Sequence, residues 1–231
     1  LILYFDLENG NPQARDLPGI NVSIFRSRDN VVMQNVYLPF IEEKAVFYSQ
    51  LECAIGELST TKLLYSALIE LSPNEYVDPQ GYYVAWERCC RNYNITNIYS
   101  QVPSLGAIYA GQTFYLEFPA VVKNGKPFID STPRLFPPLS DYACVGRPYY
   151  VDFAGTDDDG DSLRYSLITP LNTKTSDAFP LPFPPGLPRP RPYPDISWRP
   201  GYSLNNVMAG DPDLAVSHDG LLTVTPTRAG L

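Results

Sequence analysis

Residues 82–88 of the stretch GYYVAWERCCRNYNITNI (81–98) alternate apolar and polar positions in the manner of a half-buried strand. Tyr82, Val84 and Trp86 share one face, and Tyr83, Ala85 and Glu87 the other. The same period of two marks 20–26, where Ile20, Val22 and Ile24 align, and it extends the strand prediction to 1–6 and 113–118. A turn at Ser27–Asn30 followed by VVMQNVYL (31–38) predicts a hairpin with 20–26. Residues 62–71, KLLYSALIEL, fit two periods. Leu64, Leu68 and Leu71 make a helical stripe, whereas Leu63, Tyr65, Ala67, Ile69 and Leu71 make one strand face. No helix stop follows and the neighbours are strands, so strand is preferred. Asn124-Gly125 predicts a tight hairpin turn.

Breakers divide the chain. The segment 130–141, DSTPRLFPPLSD, shifts composition and predicts a junction between units at 1–140 and 141–231. Beyond it, 148–155 and 162–168 read as strands on either side of the acidic turn TDDDGD. The segment 180–194, LPFPPGLPRPRPYP, cannot join a central sheet and should run extended. DGLLTVTPTRAG then predicts a turn, a short strand and a second turn. The pattern as a whole predicts an all-β protein with long Pro-rich loops, and 24 prolines and 17 tyrosines in 231 residues agree with it.

Charge narrows the partners. A net charge of −8 repels nucleic acid and anionic membranes. No apolar run approaches the ~18–20 residues of a membrane-spanning helix, so membrane insertion is not expected. The chain opens at Leu1 without an initiator Met or signal peptide, as a mature or excised piece would.

The four cysteines, Cys53, Cys89, Cys90 and Cys144, lack any C-x2-C pair and are accompanied by one histidine, which disfavours zinc. Disulfides in an oxidising compartment are expected instead. If the central strand runs straight through them, Cys89 and Cys90 point to opposite faces. Each then looks to a different partner, Cys53 or Cys144, with the strand as a shared post; four cysteines allow three connectivities.

Candidate chemistry is sparse. Asp157, Asp159 and Asp161 place carboxylates at the alternate spacing that suits a hard cation such as Ca2+, with Glu87 and Asp152 as further ligands should they come close. The turn is not an EF-hand, because Ser162 stands where Gly is needed and Ile168 where Glu is needed. The alternative is a solvated Asp-Gly turn. No nucleophile elbow, zinc-protease helix or phosphate loop is present, and His218 sits in a turn beside Asp219-Gly220. A non-enzymatic protein is expected. Tyr82, Tyr83, Trp86, Tyr149, Tyr150, Trp198 and Tyr202 offer either a sugar-binding platform for surface glycans or cross-strand packing.

Several motifs taken together carry a resemblance. GYYVAWERCCRNYNITNI, the segment PFIDSTPRLFPPLSDYACVGRPYYVDFAGTDDDGDSLRYSLITPL (127–171), PYPDISWRPGYS (192–203) and DGLLTVTPTRAGL (219–231) resemble a family of large extracellular surface proteins of Bacteroidota. Members often end in a gliding-motility-associated C-terminal domain and leave the cell by type IX secretion. Residues 141–231 further resemble cadherin-like and immunoglobulin-like repeats, whose last strand would begin where this chain stops. The resemblance implies two Ig-like/cadherin-like β-sandwich units in a cell-surface adhesin or filament. It also implies partners among other copies or domains of the same surface protein, and a last strand that is either cut off from this piece or donated from outside.

Overall fold

The computed structural model describes residues 1–7, 15–56, 58–88, 91–92, 94–100, 110–135, 141–174 and 189–230. The structure is all-β, and the described residues contain no α-helix. Six strands form one antiparallel sheet in the order β1-β4-β3-β2-β5-β6. They are β1 (Ile2–Asp6), β2 (Gly19–Arg26), β3 (Val32–Val46), β4 (Thr60–Tyr65), β5 (Tyr82–Arg88) and β6 (Gln112–Phe118).

Strand β3 makes the sheet curl. Its 15 residues first pair with β2 and then cross to β4. The change of partner falls at Pro39, which has no N–H to give a ladder, and at Ile41, an extra residue between the pairs Phe40–Tyr65 and Glu42–Leu64. Met33 is a second extra residue, between the pairs Ile24–Gln34 and Phe25–Val32. Each bulge bends its strand and adds right-handed twist, which gives the sheet a concave side.

The main core lies on that side. Leu3, Ile20, Val22, Ile24, Val36, Leu63, Tyr65 and Tyr82 are buried there, and Tyr76, reached through the loop after β4, caps one end. Its ring lies 4.8 Å from that of Tyr82, whose ring is in turn 5.6 Å from that of Phe118. The opposite face carries a smaller cluster of Phe25, Tyr83 and Ala85, covered by Tyr115 and Tyr193.

The predicted facing of the central strand holds, but its half-burial does not. Tyr82 and Tyr83 point to opposite sides and are 1% and 0% exposed. Tyr83 is sealed by residues 189–193, the described end of the Pro-rich segment, which a reading of β5 in isolation could not anticipate.

Short strands complete the fold. β7 (Val122–Lys123) and β8 (Lys126–Pro127) form the Asn124-Gly125 hairpin, with φ of 54° and 72° at the two turn residues, as a mirror-image type I turn requires. β9 (Arg134–Leu135) pairs with β11 (Gly155–Thr156), and β13 (Leu221–Val224) lies between β10 (Tyr149–Asp152) and β12 (Ala215–Val216).

Three expectations need correction. The strand expected over 62–71 ends at Tyr65; beyond it Leu68 is fully exposed and Ala67, Ile69 and Leu71 run along the rim of the concave face without a ladder. The strand expected at 162–168 does not form, because those residues find no paired neighbour. The strand expected over 148–155 is broken after Asp152, whose carboxylate accepts from the Ala154 amide at 2.8 Å and turns the chain. No described helix is long and apolar enough to cross a membrane.

Candidate functional site

The concave face is only partly filled. Val22, Ile24, Val36, Leu38, Val84 and Trp86 form the floor of an open groove of about 460 Å3. Phe114, Leu116 and Phe118 of β6 make one wall, and Ala67, Ile69 and Leu71 lie along another. The alternation of each strand places these side chains together: Tyr82–Phe118, Val84–Leu116 and Trp86–Phe114 are direct cross-strand pairs. Leu116 is 49% exposed although it faces apolar neighbours. Strand β6 is the last of the sheet, and no described strand pairs with its outer edge. Residues 172–173 reach only its first end, where the Asn172 carboxamide oxygen accepts from the Gly111 amide and the Thr113 hydroxyl donates to the Asn172 carbonyl.

On the convex side a polar clamp holds residues 189–199 to the sheet. The Arg191 amide donates to the Tyr83 hydroxyl oxygen at 3.0 Å, and the guanidinium lies 4.9 Å from the centre of the Tyr83 ring. The same guanidinium donates to the Tyr115 hydroxyl oxygen, to Glu117 Oε1 and to the Ser27 carbonyl. Tyr83 in turn donates to Asn30 Oδ1 at 2.7 Å, while Asn30 Nδ2 donates to the Arg191 carbonyl. Burial, reinforced by the hydrogen bond to Glu117 and opposed by Arg191, pushes the Tyr115 phenol up to about 12. Burial likewise raises Tyr83 and Tyr193. Further along, Tyr99 N donates to Ser197 O and Arg199 N to Asn97 O, and Ile98, Ala110 and Ile196 form a small core with Trp198.

Cys53 and Cys144 form a disulfide between segments 91 residues apart, with Cα atoms separated by 4.7 Å. This corrects the shared-post expectation, because neither partner remains for Cys89 or Cys90; those two lie outside the described residues. The bridge forms because residues 48–53 and 141–144 lie side by side: Ser49 and Asp141 make a parallel bridge, and the rings of Tyr48 and Tyr142 are 4.9 Å apart.

The acidic turn is closed by its own hydrogen bonds. Asp157 Oδ1 accepts from the amides of Asp159 and Asp161 at 2.9 and 3.1 Å, Asp159 accepts from the Ser131 amide, and Asp158 pairs with Arg134. Glu87 accepts from the Lys174 amide and Asp152 from that of Ala154. Among the described residues the one convergence of three metal-ligating side chains is Glu52, Cys53 and Cys144, whose sulfurs are bonded to each other. In this arrangement the three aspartates therefore do not present a convergent ligand set for Ca2+. His218 is exposed beside Asp219.

The aromatic residues do not share one surface. Tyr82 and Tyr83 are core, Trp86 packs on Phe114 at 5.3 Å, Trp198 belongs to the core around Ile98, and Tyr150 is exposed on β10. Arg189 and Arg191 stand out in the Pro-rich run, where a packed connecting loop is expected, and the structure packs Arg191 onto the sheet. Leu116 was not singled out by the sequence, because it belongs to an ordinary alternation whose open side only the sheet order reveals. The chain matches no protein-family model, no curated protein and no solved structure.

Proposed function

We propose that this chain is a non-enzymatic structural or adhesion module of an extracellular bacterial surface protein or filament, built from two Ig-like/cadherin-like units of β-sandwich type. The observation that carries the reading is the Cys53–Cys144 bridge. A structural disulfide between distant segments belongs to proteins that work in an oxidising compartment. The acidic surface and the clamp of residues 189–199 onto the sheet support the same reading, since both suit a rigid, soluble spacer.

The test is antibody labelling of intact source cells. Labelling without permeabilisation is expected, and labelling only after permeabilisation overturns the surface assignment. Calcium at the acidic turn would require Asp157, Asp159 and Asp161 to exchange their present hydrogen bonds for an ion. A melting temperature that rises with calcium and falls with chelator assigns the ion to this module; an unchanged one leaves a hydrogen-bonded turn.

A further inference from the structure

We propose that Glu52, Cys53 and Cys144 form a metal site that is shut while the two sulfurs are bonded to each other and becomes available when a dithiol reduces them. Its ligand is a divalent cation with affinity for thiolate, of the zinc type. The inference goes beyond the module reading above and does not depend on it.

Two independent features meet there. The first is the donor set. A carboxylate oxygen of Glu52 and the two sulfurs lie within 4.8 Å of one another. Tetrahedral zinc holds sulfur at ~2.3 Å and so sets two bound sulfurs ~3.8 Å apart, a small separation from the bonded pair. Glu52 is exposed, which gives the cation a path from solvent and leaves room for water as a fourth ligand. Two thiolates favour zinc-like ions over calcium and magnesium, which take oxygen. The second feature is the frame, which does not rest on the bridge alone. The Tyr142 amide donates to the Ser49 carbonyl at 3.4 Å, the Ser49 hydroxyl donates to Asp141, and the rings of Tyr48 and Tyr142 are 4.9 Å apart. The Cys53 amide donates to the Gln50 carbonyl at 2.9 Å, closing the 3-10 turn Leu51–Cys53 that carries Glu52. Beside Cys144, the Gly146 amide donates to the Pro226 carbonyl at 2.7 Å. These contacts keep the three ligands neighbours after the sulfurs part.

The chemistry balances. The Cys53–Cys144 bond accepts two electrons and two protons from the dithiol, which leaves as its own disulfide, and two thiols remain. The cation then takes the place of one proton on each sulfur, both protons pass to water, and the Glu52 carboxylate binds as it stands. Oxidation reverses the sequence and expels the ion. Cysteine spacing disfavours zinc only for ligands drawn from one turn, whereas here the fold joins residues 91 apart.

The test uses the intact chain, reduced with a phosphine that is then removed under argon. Zinc is expected to slow alkylation of Cys53 and Cys144 by iodoacetamide ~10-fold or more, read residue by residue in peptide maps, because a metal-bound thiolate is a poorer nucleophile than a free one. Protection that leaves Cys53 and Cys144 reactive, whatever happens at Cys89 and Cys90, overturns the proposal. So does protection of the pair that is equally strong in urea, since the fold then builds no site; a reduced chain that fails to fold gives this same result. Cobalt(II) in place of zinc should give thiolate-to-metal absorbance in the near ultraviolet, and absorbance equally strong in the oxidised chain places the ion away from these sulfurs and overturns the site. Glu52→Gln, at an exposed position, should raise the zinc concentration that protects the pair at least ~10-fold, the loss typical of even an outer-shell partner. An unchanged concentration removes the carboxylate and overturns the three-ligand site.

Discussion

Tyr83 and Arg191 stand 108 residues apart in sequence, and each completes the other's surroundings. The tyrosine hydroxyl accepts from the arginine amide while its ring lies beneath the guanidinium. The ring is 0% exposed because that segment covers it. Tyr83→Phe keeps the packing but leaves the Arg191 amide and Asn30 Oδ1 short of a partner in a half-buried place. A loss of ~1–3 kcal/mol is expected. Arg191→Lys keeps the charge but loses the fork that serves Tyr115, Glu117 and Ser27 together, and should also destabilise. Urea unfolding reads both, as a lower midpoint at constant slope. Midpoints equal to that of the unaltered chain would show that the clamp contributes nothing.

The Cys53–Cys144 bridge closes a long loop, and such bridges stabilise by ~2–4 kcal/mol, mainly by restricting the unfolded chain. Cys53→Ser with Cys144→Ser should therefore melt lower than the oxidised protein. Peptide mapping without reductant should return one cross-linked product containing both residues. A peptide joining Cys53 to Cys89 or Cys90 would restore the shared-post arrangement.

Much of the strand pattern was legible because period-two alternation is local. Ile20, Val22 and Ile24 announce β2, and Asn124-Gly125 announces its hairpin, through torsional preferences that act within a few residues. What failed depended on partners far along the chain. Residues 162–168 alternate like a strand but have no neighbour to pair with, and 66–71 keep the alternation while leaving the ladder. The disulfide was misread for the same reason: geometry at Cys89 and Cys90 says nothing of how 48–53 and 141–144 come together. The groove was invisible until the order of strands showed β6 at the edge.

Acid should weaken the β2–β3 turn. The Arg26 guanidinium, hydrogen-bonded to Asp29 at 2.7 and 3.0 Å, lowers that carboxyl from 3.8 to about 2. A carboxyl lowered by folding contributes stability that is complete above its unfolded value and is lost as pH falls through about 2. Melting temperatures followed from pH 4 downward to pH 2 should fall, and Asp29→Asn should flatten that part of the curve. The exposed position keeps the effect small. A variant with an unchanged acid profile would remove Asp29 from the account.

Alkali should act on both faces of the sheet. Burial first, and then the hydrogen bond to Glu117, raises the Tyr115 phenol from 10.0 to about 12, with Arg191 opposing. Burial also raises Tyr65, whose hydroxyl donates to the Arg15 carbonyl, to about 12. A phenol raised by folding favours the native state fully below pH 10, and the contribution disappears as pH climbs through about 12. Tyrosinate absorbance should therefore contain a late-titrating component from Tyr65 and Tyr115, with stability falling over the same interval. Tyr115→Phe separates the two faces. It removes the outer contribution, leaves Tyr65 to titrate late, and should reduce the slope of stability against pH. If the slope is unchanged, Tyr115 ionises no later in the folded chain than in the unfolded one, and residues 189–193 are held by packing and the Tyr83–Arg191 contact without it.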